Sequence, residues 1–294
     1  MALTIPIETG GILSLEAYLD FVRSRLGDRD LDDVCDSAPQ LAQLANDRTF
    51  LTKKLTEELS SWRTFQSSNA FTAQSFLLGS GEGFYLRANI WMPPREHGLP
   101  KDRGDYLFSY QIPHDHNFSF LTIGYWGSGY ETTIYEYDRH TVAGFPGERV
   151  DLRFLERTSL PRKKVMFYRA LQDVHSQEPP VEFSISLNLV LPLPGDEEQL
   201  FFDLRSSTVT GHTPPAGAGG ILLCRLAKYV GDAQSATALE AIAERHACRR
   251  TRAAAYDSWA ALASGAEVQI WRKALADPAE LVRRLGRSKL DQLA

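Results

Sequence analysis

Between residues 71 and 226 the sequence breaks into about ten short runs of aromatic and β-branched residues, each bounded by turn-forming residues. The runs lie at 75–78, 84–91, 106–112, 118–125, 131–137, 150–157, 164–170, 182–191, 200–205 and 220–226. Such runs suit strands, and turn signals at this spacing suit an antiparallel β-architecture. With almost no helical pattern between them, they predict a barrel or jelly roll. Gly79-Ser80-Gly81-Glu82-Gly83 joins the first two runs. It lacks the Gly-Lys-Ser/Thr ending of a phosphate loop and opens no helix, so it reads as a hairpin turn.

The flanks have a different period. Leu15, Tyr18, Leu19, Val22 and Leu26 recur every three or four residues, which predicts an amphipathic helix that Ser14 can cap. Leu41, Leu44, Leu51, Leu55 and Leu59 predict further helix. Between the two lies an acidic patch, Asp28, Asp30, Asp32, Asp33 and Asp36, expected to be a solvated linker. Helical periodicity returns after about residue 233, with Leu239, Ile242, Ala243 and His246 on one face, then Ala253, Ala254, Trp259 and Leu262, then Ile270, Leu275, Leu281 and Val282. The segment from Asp277-Pro278 to Arg283 resembles the helix start of HEAT-type repeats. These patterns predict three parts: a helical extension over 1–70, a β-domain over 71–228 and a second helical extension over 229–294.

Charge and composition narrow the function classes. The net charge is −5, so the overall field repels nucleic acid. Residues 241–294 carry ten Lys/Arg against six Asp/Glu, a net of +4 that leaves −9 for the rest. Arg245, Arg249, Arg250 and Arg252 crowd this segment, which is expected to be a solvated helix face or a docking surface for an acidic protein partner. Three cysteines, Cys35, Cys224 and Cys248, are too few and too scattered for a disulfide framework. No apolar run reaches the ~20 residues of a membrane helix. The first residues lack a basic start followed by an apolar run, so a cytoplasmic protein without membrane partners is expected.

The histidines carry the chemistry. His114 and His116 flank Asp115 at the entry to the 118–125 run. Residues two apart in a strand face the same side, so the two imidazoles point inward together or outward together. Two inward imidazoles are costly unless their nitrogens find a partner, and a metal ion is a natural one. His175 follows the 164–170 run and precedes the 182–191 run, so it is the first choice for a third ligand. His140 is the second choice, and His97, His212 and His246 are expected to be surface or core residues.

Here the chain resembles a family. Pro113-His114-Asp115-His116, the segment Phe84-Tyr85-Leu86-Arg87-Ala88-Asn89 lying 27 residues before His114 (to Arg87), and His175 followed by a Pro-containing turn and the alternating strand Phe183-Ser184-Ile185-Ser186-Leu187-Asn188 are similar to motifs of the cysteine dioxygenase-like branch of the cupin superfamily. The likeness covers roughly residues 75–205 and not the helical ends. It implies a mainly β fold, a cupin-type jelly-roll barrel with helical N- and C-terminal extensions. It also implies a three-His metal site at His114, His116 and His175. The wider superfamily places a Glu shortly after its His pair, whereas here Ser119, Phe120 and Leu121 follow and the next carboxylate is Glu131. The cysteine that can cross-link to a tyrosine in thiol dioxygenases is also replaced by Phe120 and Leu121, and the Ser-His-Tyr relay of the branch is not evident.

The expected function is that of a non-haem Fe(II)-dependent oxygenase with dioxygen as co-substrate. Its small-molecule substrate would bear a carboxylate, as an amino acid or thiol does. Arg87 would pair with that carboxylate and Tyr85, two residues earlier, would donate a hydrogen bond. Glu131, Glu136 and Gln177 are expectations for groups that orient a ligand histidine. A second reading keeps the site but binds Zn, Ni or Mn for hydrolysis or isomerisation. A third is a non-enzymatic metal or ligand sensor.

Overall fold

Alternation along the central strands gives one sheet two different faces, and this sets the position of everything else. In the computed structural model, which describes residues 3–7, 9–25, 31–64, 66–193, 197–213 and 218–294, the chain divides into two compact units. The first comprises 1–136 and 153–192, and the second 137–152 and 193–294. Leu26, Asp28 and Asp30 of the predicted N-terminal helix and acidic patch lie outside the described residues.

The first unit runs β1 (Leu3–Ile5), α1 (Leu15–Arg25), α2 (Leu31–Asp36), α3 (Ala38–Asn46), α4 (Phe50–Ser60), β2 (Ser75–Gly81), β3 (Phe84–Trp91), α5 (Lys101–Phe108), β4 (Phe118–Trp126) and β5 (Glu131–Glu136). It resumes with β6 (Arg153–Ser159), β7 (Val165–Tyr168), β8 (Asp173–Glu178) and β9 (Ser184–Pro192). Six strands form one antiparallel sheet in the order β1-β7-β4-β9-β3-β2, and three form another in the order β6-β5-β8. One face of the large sheet presents Phe84, Leu86, Ala88, Leu121, Ile123, Phe167, Leu187 and Leu189 to Tyr18, Val22, Leu41, Leu44 and Phe50 of the helices. Full burial of each such side chain contributes about 1.5–3 kcal/mol, so this layer anchors the sheet. The opposite face presents Trp91, Phe120, Met166, Tyr168 and Val190, which pack with Ile134 of the small sheet and with Phe108, Tyr110 and Tyr130.

The expected barrel is therefore an open pair of sheets: no ladder among the described residues closes them. The reason lies at 106–116. Residues predicted as a strand over 106–112 instead end α5, and the chain then meets β8 only through isolated bridges, Tyr110 with Gln177 and His114 with His175. Pro113 between these bridges has no N–H to donate, so a continuous ladder cannot form there. The Gly-rich hairpin is present, with β2 and β3 joined through Glu82 and Gly83, the latter at φ +75°. Ser14 caps α1 by accepting the Ala17 N–H at 3.2 Å.

Glycine is required at the β4–β5 connection. Gly129 sits at φ +75°, and a Cβ there would lie 1.8 Å from the Leu160 carbonyl oxygen, a backbone atom that cannot swing aside. Gly129→Ala is expected to destabilise the first unit by more than about 2 kcal/mol, read as a lower urea midpoint with an unchanged slope. An unshifted midpoint would show that this backbone relaxes freely.

The second unit holds the hairpin β10 (Leu200–Asp203) and β11 (Thr208–His212) and helices α6 (Ala218–Val230), α7 (Ala233–Arg245), α8 (Arg249–Leu262), α9 (Glu267–Ala274) and α10 (Glu280–Leu293). The run at 220–226, predicted as a strand, is the body of α6. Leu239, Ala243, Tyr256, Trp259, Ile270, Trp271 and Val282 form the helical core, joined by the buried thiol of Cys224. Arg249 and Arg252 are buried rather than solvated. Both guanidinium nitrogens of Arg252 that face Asp277 donate to it at 2.8 Å, and Asp277 also accepts the Ala279 N–H. Fully buried Glu198 accepts from Arg249, from Arg139 at 3.0 Å and from Arg250 at 3.1 Å.

Burial alone would raise the Glu198 pKa, but Arg249, Arg139 and Arg250 outweigh it and hold the carboxyl at about 2. A group whose folded pKa is depressed stabilises above its unfolded value and loses that contribution as pH falls through its folded value. The second unit is thus expected to lose about 3 kcal/mol as pH falls from about 4.5 to about 2. Urea melts across that window should show the slope in the natural chain and a flatter one in Glu198→Gln. Equal slopes would remove Glu198 as its source.

Candidate metal centre

The site begins with a backbone pairing. The His114 N–H donates to the His175 carbonyl at 3.0 Å, and the His175 N–H donates to the His114 carbonyl at 2.9 Å. Residues that exchange both hydrogen bonds stand directly opposite, with side chains on the same face. His116 lies two residues beyond His114 and returns to that face. The three rings therefore converge, with centroids 4.7–4.9 Å apart. The Nε2 atoms of His116 and His175, 59 residues apart in sequence, are 2.9 Å from each other. One ligand nitrogen from each of the three histidines lies within 4.8 Å of the others, an arrangement that could hold a metal ion.

Tautomer and protonation favour that use. His114 Nδ1–H donates to the Ile112 carbonyl at 2.6 Å, a bond that fixes the tautomer with Nε2 as the unprotonated nitrogen. His114 and His175 are 3% and 1% exposed. Burial lowers the His114 pKa to about 4 despite the Ile112 hydrogen bond, and burial together with the nearby His114 puts His175 well below the ordinary histidine value. Both are neutral at pH 7, the form that ligates. The walls are aromatic: Phe118 stacks on His116 at 4.4 Å, Tyr168 lies 4.8 Å from His175, and Phe120 stacks on Tyr168 at 4.6 Å. Three imidazoles with converging nitrogens among aromatic side chains fit a divalent ion, and no carboxylate among the described residues belongs to the cluster.

Across the same sheet face stands Arg87 of β3. Its guanidinium lies 4.5 Å from the Phe71 ring and 5.6 Å from the Phe118 ring, and Phe118 is the residue stacked on His116. Its buried Nε has no hydrogen-bond partner. Desolvation lowers the Arg87 pKa to about 10, with no carboxylate among the described residues paired to offset it. The group remains charged at neutral pH. Tyr85 shares this face two residues earlier, is 39% exposed and packs edge-on against Phe71 at 5.4 Å. Between Arg87 and β4, Asn188 of β9 pairs in register with Arg87 on one side and Thr122 on the other. Asn188 Oδ1 accepts from Thr122 Oγ1 and from Ser186 Oγ at 3.4 Å, and Ser186 Oγ accepts from Trp91 Nε1 at 3.0 Å.

The other residues singled out from sequence fall as follows. Gln177 abuts the cluster: its buried amide nitrogen is 3.3 Å from Nδ1 and 3.4 Å from Nε2 of His175. Glu131 pairs with Arg157, and Glu136 pairs with Arg153 and Arg169, so both face cations. His140 is exposed in the short turn Arg139–Thr141 of the second unit and does not belong to the three-His group. Phe71, Phe118, Tyr168 and Thr122 complete the surroundings and were not marked by the sequence. The only signal for Thr122 and Asn188 is polarity at buried strand positions.

No protein-family model matches the sequence, and no curated protein matches it. Among solved structures, the chain is similar to hydroquinone 1,2-dioxygenase from Sphingomonas sp. TTNP3 with 4-hydroxybenzoate bound, at 10% identity and a TM-score of 0.27, over 42% of this chain and 68% of that one. A second hydroquinone 1,2-dioxygenase, in complex with Cd2+ and 4-hydroxybenzonitrile, is 12% identical with a TM-score of 0.26, over 65% and 93% of the two chains. A 7S globulin from Momordica charantia is 13% identical with a TM-score of 0.22, over 44% and 35%. Overlaps this partial assign neither a reaction nor a ligand to the chain. Among the described residues no helix is long and apolar enough to cross a membrane.

Proposed function

We propose that the protein is a non-haem Fe(II)-dependent oxygenase of cupin type, acting on a small carboxylate-bearing substrate with dioxygen as co-substrate. The observation that carries this reading is the convergence of three imidazoles, two of them buried and neutral, opposite a guanidinium with no carboxylate partner among the described residues. His114, His116 and His175 would hold the ion through Nε2. Three protein ligands would leave positions on the ion for exogenous ligands, unlike a closed four-ligand zinc site. When bound, ferrous iron supplies the redox chemistry that activates dioxygen.

The chain's own residues do the rest. Phe71 and Phe118 cover the guanidinium of Arg87, which leaves its N–H edge for a planar, two-pronged acceptor such as a carboxylate. Tyr85 at the exposed margin of this face donates to the incoming substrate. Phe118, Phe120 and Tyr168 line the site, and His114 and His175 are buried from water, which strengthens charge interactions there. The test is oxygen uptake by the anaerobically Fe(II)-loaded chain against a panel of small carboxylates. Uptake that requires both a carboxylate and iron supports the reading. Turnover without oxygen uptake, restored by Zn(II) in place of Fe(II), would replace it with hydrolysis or isomerisation.

A further inference from the structure

We infer that Asn188 is a substrate-positioning residue which, beside Arg87, selects a carboxylate whose neighbouring group accepts a hydrogen bond, a 2-oxo or 2-hydroxy acid in preference to a 2-amino acid. The inference rests on the proposed metal and Arg87 reading and narrows its substrate class.

Arg87, Asn188 and Thr122 form one row across β3, β9 and β4. Directly opposed residues on one sheet face have Cβ atoms about 4.5–5.5 Å apart, so the Asn188 amide is the polar neighbour of the guanidinium. The adjacent row is Tyr85, Val190 and Phe120, and Phe120 contacts the edge of His116 at 5.1 Å. A small molecule spanning from Arg87 to the histidines crosses these two rows.

An amide has two ends, and in a buried site their partners decide which end faces which way. Asn188 is 3% exposed. Its Oδ1 is held by hydroxyl donors from Thr122 and Ser186, and Ser186 is itself fixed by the Trp91 indole N–H. The amide is thus locked from behind, and Nδ2 is the end left over, with no partner among the described residues. The row then offers donors: the edge of Arg87 and Nδ2 of Asn188. Neither row contains a carboxylate, and an ammonium group would sit beside a guanidinium with no anion to hold it. An oxo or hydroxyl oxygen next to the substrate carboxylate accepts from Nδ2 instead. Sites built to hydrogen-bond a substrate group reject analogues that cannot form the bond, because the buried donor is left unmet.

The test is calorimetric titration of the full chain, loaded with Co(II) so that no turnover occurs, with 2-hydroxybutyrate, 2-oxobutyrate, 2-aminobutyrate and butyrate. Co(II) affinity and the urea midpoint are measured on each variant. The natural chain is expected to bind the two oxygenated acids at least about tenfold more tightly than the amino acid. Asn188→Leu should erase most of that ratio with Co(II) affinity unchanged. Asn188→Ser removes the Nδ2 donor while keeping a small polar side chain beside Thr122 and Ser186, so it should erase the same ratio and remains informative if the leucine variant misfolds. Equal binding of the oxygenated and amino acids by the natural chain, or an unchanged ratio in folded variants, overturns the inference. Carboxylate binding that needs Co(II) and Arg87 but ignores Asn188 overturns this inference alone, whereas failure of the natural chain to bind Co(II) overturns the metal reading beneath it.

Discussion

Replacing His175 with alanine is expected to abolish stoichiometric binding of a divalent ion while the fold survives. His175 is the hinge of the cluster: its backbone exchanges two hydrogen bonds with His114, and its Nε2 lies 2.9 Å from that of His116. The backbone pairing does not depend on the side chain, so alanine removes a ligand and leaves the register. Losing a group that merely orients a ligand typically costs 10- to 100-fold in metal affinity, and losing one of three ligands should cost more than about a hundredfold. The depressed pKa values of His114 and His175 reflect an apolar shell that disfavours imidazolium, so the cavity left behind gains no compensating charge. His140→Ala, in the other unit, should bind metal like the natural chain. Equilibrium dialysis with elemental analysis reads both variants. Full occupancy in His175→Ala would mean that the ion sits elsewhere.

Replacing Arg87 has a different signature. Arg87→Met keeps an unbranched stem against Phe71 and Phe118 but removes the guanidinium, so metal binding should be unchanged while substrate affinity falls by about 10²- to 10³-fold. The loss should be this large because the guanidinium is desolvated and has no carboxylate partner among the described residues, so a substrate anion meets an available charge. Arg87→Lys should recover little, since a point charge on a flexible stem cannot present two parallel N–H groups between two rings. Isothermal titration with a carboxylate that the natural chain binds measures this. Equal affinity in the natural chain and Arg87→Met would make Arg87 a packing residue.

The sequence reading and the structure agree where side-chain alternation is simple. Arg87 and Tyr85 are legible as a pair because strand residues two apart share a face, and the same spacing pairs His114 with His116 even though they lie just before β4, His114 at an isolated bridge. His175 was found by its place between two runs, yet its own strand was not: Asp173–Glu178 is a polar segment whose side chains are absorbed by the site and by ion pairs, so strand propensity gives no signal. The run at 220–226 misled in the opposite way. Leu222, Leu223 and Leu226 are exposed while Cys224 is buried, so the helix is apolar on both sides and its period is hidden. The open arrangement of the sheets turns on Pro113 and the end of α5, a tertiary consequence that a list of strands does not carry. The buried arginines of α8 read as a basic surface because their carboxylate partners, Glu198 and Asp277, lie far away in sequence.

The central claim is that His114, His116 and His175 together hold the ion on which the activity depends. X-ray absorption at the iron edge, recorded on the chain loaded with Fe(II) under anaerobic conditions, tests it most directly. The expected result is a shell containing three imidazoles, reduced to two in His114→Ala. A shell with one imidazole or none, or a spectrum that His114→Ala leaves unchanged, would contradict it.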